Sequence, residues 1–199
     1  MNIVIIKYNA GNIMSVDYAL QRLGIQAMVT DDVSMIQAAD RVIFPGVGEA
    51  STTMKYLKDK GLDVIIPGLK QPVLGICLGL QLMCRYSDEG NTACMGIFDE
   101  QVKKFNPTDH EEGNLKVPHM GWNTISNLRS SLFQGIPEDQ YMYFVHSYYA
   151  SMGKDTIAVC RYPEEFSAGL HFKNFYATQF HPEKSGKTGA QILKNFLEL

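Results

Sequence analysis

The chain has 199 residues, of which 45% are hydrophobic and 20% are charged, and its formal net charge is −3. This composition is typical of a globular protein with a full core, and the small negative charge argues against nucleic acid or an anionic membrane as a partner. No apolar run approaches the ~20 residues of a membrane span, and the four cysteines form no C-x-x-C pair, so the sequence predicts a cytoplasmic protein without a disulfide framework, a metal site or a cofactor.

Residues 1–80 alternate between short apolar runs and segments with helical spacing. Predicted strands cover residues 2–7, 25–30, 41–44 and 73–76, predicted helices cover residues 33–39 and 49–60, and further helices are expected before Gly24 and after Cys77. Residues 8–12 are predicted to form a turn. Because parallel strands need crossover connections, this order predicts an α/β fold with a doubly wound, mostly parallel sheet and helices on both faces.

The second half of the chain has fewer helical segments, so mixed or antiparallel strands are predicted there. The predicted elements are an edge or antiparallel strand at 95–105, a surface loop at 106–114, a packed loop at 117–123, strands at 141–150, 157–162, 168–172 and 175–180, and a closing helix at 190–199. The loop at 117–123 carries the only tryptophan of the chain, which is interpreted as an aromatic anchor.

A candidate nucleophile lies in the stretch P-V-L-G-I-C-L-G-L-Q, residues 72–81. An apolar run precedes Cys77 and helical spacing follows it, so the cysteine is expected at a strand–turn–helix junction. Gly75 and Gly79 would permit the strained backbone and the close strand–helix approach of such a turn. The N-terminus of the helix would favour a thiolate. The alternative is that Cys77 is a small buried hydrophobic residue.

A second glycine-rich turn, P-G-V-G at residues 45–48, follows the strand predicted at 41–44. Ligands of doubly wound sheets bind beyond the carboxyl ends of the strands, so this turn and Cys77 could face one crevice. Backbone N–H groups of the turn would then join the N–H of Leu78 in an oxyanion hole. The alternative is an ordinary strand–helix connection.

A catalytic thiol needs a base that also returns the proton, and histidine is the usual choice. His181 is favoured among the five histidines because it stands in Q-F-H-P-E, two residues before Glu183. An extended backbone through Pro182 would place both side chains on the same side, where Glu183 could orient the His181 ring. His146 lies in an aromatic run and is predicted to be a core histidine.

The three motifs together resemble the triad-type (class I) glutamine amidotransferases. Within that family, Y-N-A-G-N-I-x-S, P-H-M-G-W-N, Y-F-V-H-S-Y and H-P-E-K-S are similar to the glutaminase subunits of imidazole glycerol phosphate synthases. The similarity runs the whole length of the chain. It implies one glutamine amidotransferase type 1 domain over residues 1–199, with a flavodoxin-like mixed sheet and no fused synthase domain.

The resemblance also implies roles for individual residues. Cys77 would attack the side-chain amide of glutamine, and His181 would protonate the departing ammonia and then activate water against the thioester. Glu183 would orient His181. The N–H groups of Gly48 and Leu78 would stabilise the oxyanion, either directly or only after the backbone from Gly46 to Gly48 rearranges.

Further matching positions concern glutamine and a partner protein. Gln81 and the backbone at Ser147 and Tyr148 match contacts to the substrate glutamine. In the family, a (β/α)₈-barrel cyclase subunit receives the ammonia and makes imidazole glycerol phosphate and an aminoimidazole carboxamide ribotide. The positions that match its interface are Asn12, Trp122, Tyr143 and Lys184. An alternative for Trp122 and Tyr143 is that both are core residues.

Three alternative functions remain at this point. The chain could be a related amidotransferase that feeds ammonia to another barrel-type synthase, for example one that modifies a surface sugar. It could be a thiol hydrolase that cleaves γ-glutamyl bonds without a partner. It could also be a non-enzymatic binding subunit, although none of the residues needed for catalysis is missing.

Overall fold

The computed structural model describes residues 1–8, 12–106 and 116–199. Its helices are α1 (Ile13–Arg22), α2 (Val33–Ala38), α3 (Ala50–Asp59), α4 (Leu62–Gly68), α5 (Leu78–Met83) and α6 (Gly186–Glu198), with 3₁₀-helices at Glu89–Asn91, Ser131–Phe133 and Pro182–Lys184. Its strands are β1 (Ile3–Ile6), β2 (Ala27–Thr30), β3 (Arg41–Phe44), β4 (Val73–Ile76), β5 (Tyr86–Ser87), β6 (Thr92–Ala93), β7 (Gln101–Lys104), β8 (His119–Ile125), β9 (Gln140–His146), β10 (Tyr148–Ala150), β11 (Thr156–Arg161), β12 (Glu165–Phe172) and β13 (Phe175–Thr178).

A seven-stranded sheet with the order β2-β1-β3-β4-β13-β12-β11 forms the centre of the molecule. Strands β2, β1, β3, β4 and β13 are mutually parallel, whereas β12 and β11 run antiparallel to their neighbours. The parallel part has the strand order of flavodoxin-like doubly wound sheets. This arrangement confirms the predicted fold class, including the change to antiparallel strands in the second half.

Both faces of the central sheet are covered by helices that bury apolar side chains. On one face, Val16 and Leu20 of α1 and Ile192 and Phe196 of α6 pack in a cluster of buried residues. The other face carries a second cluster, to which α2, α3, α4 and α5 all contribute. Strands β1, β3 and β4 are buried along their whole or nearly whole length, which explains their continuous apolar sequences.

Two smaller sheets flank the central one, and they correct three of the predictions. A four-stranded sheet has the order β10-β7-β5-β6, and β8 pairs with β9 in a two-stranded sheet. The segment predicted as a packed loop at 117–123 is mostly strand β8. The strand predicted at 95–105 is confined to β7, and the strand predicted at 141–150 is interrupted at Ser147 between β9 and β10.

Helix α4 is not predicted from the sequence, where Gly61 indicates only the end of the preceding helix. Gly61 has a left-handed backbone (φ 70°) and at the same time begins α4. The predicted turn at 8–12 and loop at 106–114 fall largely on residues 9–11 and 107–115, outside the described residues. Within the described ranges, no helix is long and apolar enough to cross a membrane.

Candidate active site

Cys77 stands at the sharp turn between β4 and α5, as the sequence predicts. Its φ of 54° and ψ of −106° are unusual for a residue with a side chain, and such strained backbone is concentrated at functional sites. Hydrogen bonds on both sides hold the turn. The Cys77 N–H donates to the Thr178 carbonyl at 2.7 Å, and the Gln81 N–H donates to the Cys77 carbonyl at 3.2 Å.

The glycines on either side of Cys77 serve close packing. A Cβ on Gly79 would lie 2.0 Å from the Phe44 carbonyl oxygen, and a Cβ on Gly75 would lie 3.0 Å from backbone atoms of Gly79 and Leu80. The positive φ of the turn belongs to Cys77 itself. Gly75 and Gly79 therefore let β4 and α5 approach each other, while the cysteine carries the backbone strain.

His181 and Glu183 form a buried pair near the end of β13. The His181 Nδ1 and Glu183 Oε1 atoms are 2.7 Å apart, and both side chains are fully buried. The predicted extended backbone through Pro182 is wrong, because Pro182–Lys184 is a turn of 3₁₀-helix. The tight turn, rather than alternation along a strand, brings the two side chains together.

The charges of this pair are set by its contacts. Burial alone would raise the pKa of the Glu183 carboxyl, but hydrogen bonds from His181 and Asn12 and the His181 charge hold that pKa below its ordinary value. Burial alone would lower the pKa of the His181 ring, but the negative charge at Cys77, together with Glu183, raises it. The contacts therefore favour a protonated His181 ring beside an ionised Glu183.

The second ring nitrogen of His181, Nε2, is buried and has no hydrogen-bond partner among the described residues. Since Nδ1 is engaged with Glu183, Nε2 is the nitrogen available to exchange a proton with a reacting group. The Cys77 sulfur lies close enough for its charge to act on the ring. The arrangement can thus support acid–base chemistry at the sulfur.

The turn at 45–48 does not present a completed oxyanion hole. The Leu78 N–H donates to the Gly46 carbonyl at 3.3 Å, so this N–H is already occupied. The Tyr8 hydroxyl donates to the Pro45 carbonyl and holds the same turn from its other side. The prediction allows an oxyanion hole that is either already formed or formed only after the backbone from Gly46 to Gly48 rearranges. This conformation fits the second alternative.

A cavity of about 290 Å³ opens in front of the sulfur. Because one water occupies ~30 Å³, the cavity suits a ligand of amino-acid size. The predicted catalytic, oxyanion-hole and substrate-binding residues in its lining are Gly48, Cys77, Leu78, Gln81, Ser147 and Tyr148. His181 is not in the lining and lies fully buried.

Glu89 also lines the cavity, and the sequence does not point to it. Its Oε2 atom accepts from the Ala50 N–H at the start of α3, at 2.7 Å. Burial raises the pKa of this carboxyl. The only sequence signal is its place in a polar segment after the Cys77 helix, which does not reveal that the segment folds back over the cavity.

A chain of buried hydrogen bonds lies behind the cavity wall. His146 Nδ1 is 2.7 Å from the Tyr148 carbonyl, which can only accept, so Nδ1 carries the proton. His146 Nε2 then accepts from His119 Nδ1 at 3.0 Å. Burial lowers the pKa of His119 to about 4 and that of His146 to about 3. His146 is a buried, satisfied histidine, as predicted, and it also touches the cavity.

Trp122 and Tyr143 face each other across β8 and β9. Trp122 is 55% exposed, so the alternative that it is a core residue is wrong. The two rings form an edge-to-face contact with centroids 5.9 Å apart, and Lys184 Nζ lies 5.9 Å from the Tyr143 ring centroid. Asn12 has a further contact, because its Nδ2 donates to Glu183 Oε1 at 2.6 Å.

Comparison with known families identifies the chain. The family profile described as "Glutamine amidotransferase class-I" matches residues 4–199. The chain belongs to the class I glutamine amidotransferases. It is 63% identical over 199 residues to imidazole glycerol phosphate synthase subunit HisH of Bacteroides fragilis and 59% identical to the same subunit of Bacteroides thetaiotaomicron, and each alignment covers 100% of both chains.

The fold of this class I glutamine amidotransferase is also similar to solved structures. PurLQS from Thermotoga maritima aligns with a TM-score of 0.71 and 14% identity, over 99% of this chain and 97% of the other. A second structure, described as a glutamine amidotransferase, aligns with a TM-score of 0.74 and 17% identity, over 98% of this chain and 97% of the other. At these identities the similarity concerns the fold alone. The predicted family and the predicted fold class are both confirmed.

Proposed function

We propose that this glutamine amidotransferase is the glutaminase subunit of imidazole glycerol phosphate synthase in histidine biosynthesis. The observation that carries the proposal is the meeting of Cys77, on its strained turn, with the buried His181–Glu183 pair at an amino-acid-sized cavity. The identity of 63% to a HisH subunit over the full length of both chains supports the assignment to imidazole glycerol phosphate synthase rather than to another synthase. The reaction converts glutamine into glutamate and ammonia.

The first step forms a thioester. The Cys77 thiolate attacks the side-chain amide carbon of glutamine, and the C–N bond then breaks as a proton moves from His181 Nε2 to the departing nitrogen. Ammonia leaves and His181 becomes neutral. Glu183, which is fixed by Nδ1 of His181 and by Asn12, keeps the ring oriented for this transfer.

The second step releases glutamate. His181 Nε2 takes a proton from water, and the resulting hydroxide adds to the thioester carbon. The C–S bond breaks, which restores the Cys77 thiolate and the His181 imidazolium, while the product acid loses its proton to solvent. Both steps pass through an oxyanion, and each therefore needs the Leu78 N–H that the Gly46 carbonyl now occupies.

Recognition of glutamine follows from the polar groups in the cavity. Glu89 offers a carboxylate to the substrate ammonium group. Both N–H bonds of the Gln81 amide are directed at protein acceptors, Tyr148 and Gln179, so its oxygen is left to accept from the ligand. We propose that the backbone at Ser147 and Tyr148 forms the opposite wall.

The second subunit would be a (β/α)₈-barrel cyclase that receives the ammonia and makes imidazole glycerol phosphate and an aminoimidazole carboxamide ribotide. Both subunits would act in the cytoplasm. Asn12, Trp122, Tyr143 and Lys184 would contact it. Because the Leu78 N–H is occupied in this conformation, we expect weak glutaminase activity of the isolated chain. Residues 1–199 would act as a single domain.

The test uses Cys77→Ala in the complex with the cyclase subunit. Glutamine-dependent formation of imidazole glycerol phosphate should be lost, while synthesis from added ammonia should stay at the wild-type rate. His181→Ala should show a similarly large loss, since both proton transfers depend on it. Cys160→Ala, a change at another buried cysteine, on the edge strand β11 of the central sheet, is the matched control and should retain both activities.

Three results would contradict the proposal. Retained glutamine hydrolysis in Cys77→Ala would show that Cys77 is not the nucleophile. Full glutaminase activity of the isolated chain, unchanged by the cyclase subunit, would instead favour a partner-independent γ-glutamyl hydrolase. Activation only by another barrel-type synthase would favour the related amidotransferase.

A further inference from the structure

A second side chain, Gln179, contacts the nucleophilic sulfur. Gln179 follows β13, two residues before His181, and is fully buried. Its Nε2 atom lies 3.6 Å from Cys77 Sγ, with the geometry of an N–H donor to sulfur. A buried amide without partners would be costly, so this contact accounts for part of its hydrogen-bonding capacity.

The neighbouring groups fix which end of the Gln179 amide faces the sulfur. The Tyr148 carbonyl can only accept, so the Gln81 atom 2.8 Å from it must be the NH₂ group. The same NH₂ group lies 3.1 Å from Gln179, which must therefore turn its oxygen toward Gln81. The Gln179 NH₂ group is then left facing Cys77, and a flipped amide would place two donors against each other.

The sulfur also lies near a hydrogen-bond acceptor. Cys77 Sγ lies 3.8 Å from the Val145 carbonyl oxygen, which a neutral thiol can use as an acceptor but which repels a thiolate. A donor that faces the sulfur offsets this repulsion in the charged form. The positions of Gln179 and Val145 thus have opposite effects on the two protonation states of Cys77.

We propose that Gln179 is a catalytic residue that donates a hydrogen bond to the Cys77 thiolate. This role rests on the proposed function of Cys77 as nucleophile. The hydrogen bond is charge-assisted when the sulfur is anionic and weaker when the sulfur is bonded to carbon in the thioester. It therefore stabilises the thiolate before attack and again when the C–S bond breaks and the electron pair returns to sulfur.

The first experiment measures the thiolate without glutamine or partner. Cys77 of the full chain is alkylated with iodoacetamide between pH 5 and 10, and its modified peptide is quantified by mass spectrometry, which separates it from the other cysteines. Gln179→Met removes the donor at similar length. The midpoint of the alkylation profile should move upward by about one pH unit, the size of a hydrogen bond to a charged group.

Gln179→Glu is the second variant because it keeps the size of the side chain if the methionine does not pack. A carboxylate facing the sulfur should move the midpoint upward at least as far as methionine does. Asn195→Met is the matched control, since Asn195 is also a buried amide but donates to the Leu132 and Gln134 carbonyls. Its profile should coincide with that of the wild type.

Steady-state kinetics of the complex with the cyclase subunit separate a catalytic role from a structural one. Loss of the sulfur contact should lower kcat for glutamine about tenfold, in line with the shift of the alkylation profile. A role only in holding Gln81 would raise KM and leave the alkylation midpoint unmoved, and that result would overturn the proposal. Failure of the proposed function would be seen separately, as glutamine hydrolysis by Cys77→Ala.

Discussion

Glu183 and His181 carry opposite charges in a region almost closed to water. The pKa of Glu183 is lowered, so its contribution to stability is present above the unfolded carboxyl pKa of about 4.3 and is lost as pH falls through the lower folded value. The pKa of His181 is raised, so its contribution is present below about pH 6.5 and is lost as pH rises through the folded value. Both contributions are complete between about pH 5 and 6.5.

Replacing Glu183 by glutamine tests this window. Glu183→Gln should lower the free energy of unfolding by about 2 kcal/mol at pH 6, and the difference from wild type should shrink below pH 4 as the native carboxylate gains a proton. Turnover should fall by on the order of a hundredfold, less than for His181→Ala, because the acid–base group remains. Urea denaturation at several pH values and a glutaminase assay would measure both effects.

The matched control for this change is Glu198→Gln. Glu198 pairs with Lys194 one helical turn away, 3.8 Å apart and exposed, and such pairs contribute little to stability. Its unfolding free energy should stay within about 0.5 kcal/mol of wild type at every pH. A Glu183→Gln difference that did not change between pH 6 and pH 3 would contradict the charge assignment.

Several site residues can be proposed from the sequence, and others cannot. Cys77, His181 and Glu183 stand in short motifs where spacing alone suggests the chemistry. The sequence gives no such signal for Gln179 and Glu89, because Gln179 contacts Cys77 and Glu89 contacts Ala50 across segments that are far apart in the chain. The family resemblance assigns Asn12 only to the partner interface, and its hydrogen bond to Glu183 depends on how α1 packs.

At the scale of elements, the site depends on how closely α5 approaches β3. The first turn of α5 lies against the Phe44 carbonyl at the end of β3, with no room for a side chain at Gly79. This contact fixes the turn that presents Cys77. The position of the nucleophile is therefore a consequence of backbone packing between two elements.

Gly79→Ala should disrupt this packing. The added Cβ would lie 2.0 Å from the Phe44 carbonyl oxygen, so the helix must shift, and we expect a loss of about 3 kcal/mol in unfolding free energy together with loss of glutaminase activity. Gly68→Ala is the control, because nothing lies within 4 Å of its added Cβ at the end of α4. Guanidinium denaturation of both variants would measure the difference, and equal stabilities would refute the steric argument.

The elements of the parallel half can be predicted because each strand is a continuous apolar run and each connection contains a helix. Prediction is poorer where burial is partial. Only His119 and Ile125, at the two ends of strand β8, are buried, and the strand contains Gly121 with a φ of 133°, so its sequence has no continuous apolar run. Strands β5 and β6 have only two residues each, too few to show a period.

At the scale of the whole molecule, the functional groups gather at one end of the sheet. Cys77 follows the carboxyl end of β4, and the pair His181–Glu183 follows the carboxyl end of β13 next to it. Asn12 links this group to the start of α1, and the backbone N–H of His181 donates to the Tyr143 carbonyl at 2.9 Å. The proposed interface thus lies directly against the buried pair.

Trp122 offers the clearest test of that interface. Trp122 is 55% exposed, so Trp122→Ala should change the unfolding free energy by less than about 1 kcal/mol. If the cyclase subunit covers it, the same change should weaken binding about 30-fold or more, as expected for a tryptophan that becomes buried at an interface. Isothermal titration of the variant with the cyclase subunit would measure the dissociation constant.

The control is Phe172→Ala, which removes an exposed aromatic side chain from β12 of the central sheet. Phe172 pairs with Phe175 at the start of β13, the end of the sheet opposite Cys77, so its removal should leave binding unchanged. If Trp122→Ala and Phe172→Ala bound the cyclase subunit equally tightly, the surface formed by β8 and β9 would not be the interface. A loss confined to Trp122→Ala would place the ammonia acceptor at the carboxyl end of the sheet, beside the nucleophile.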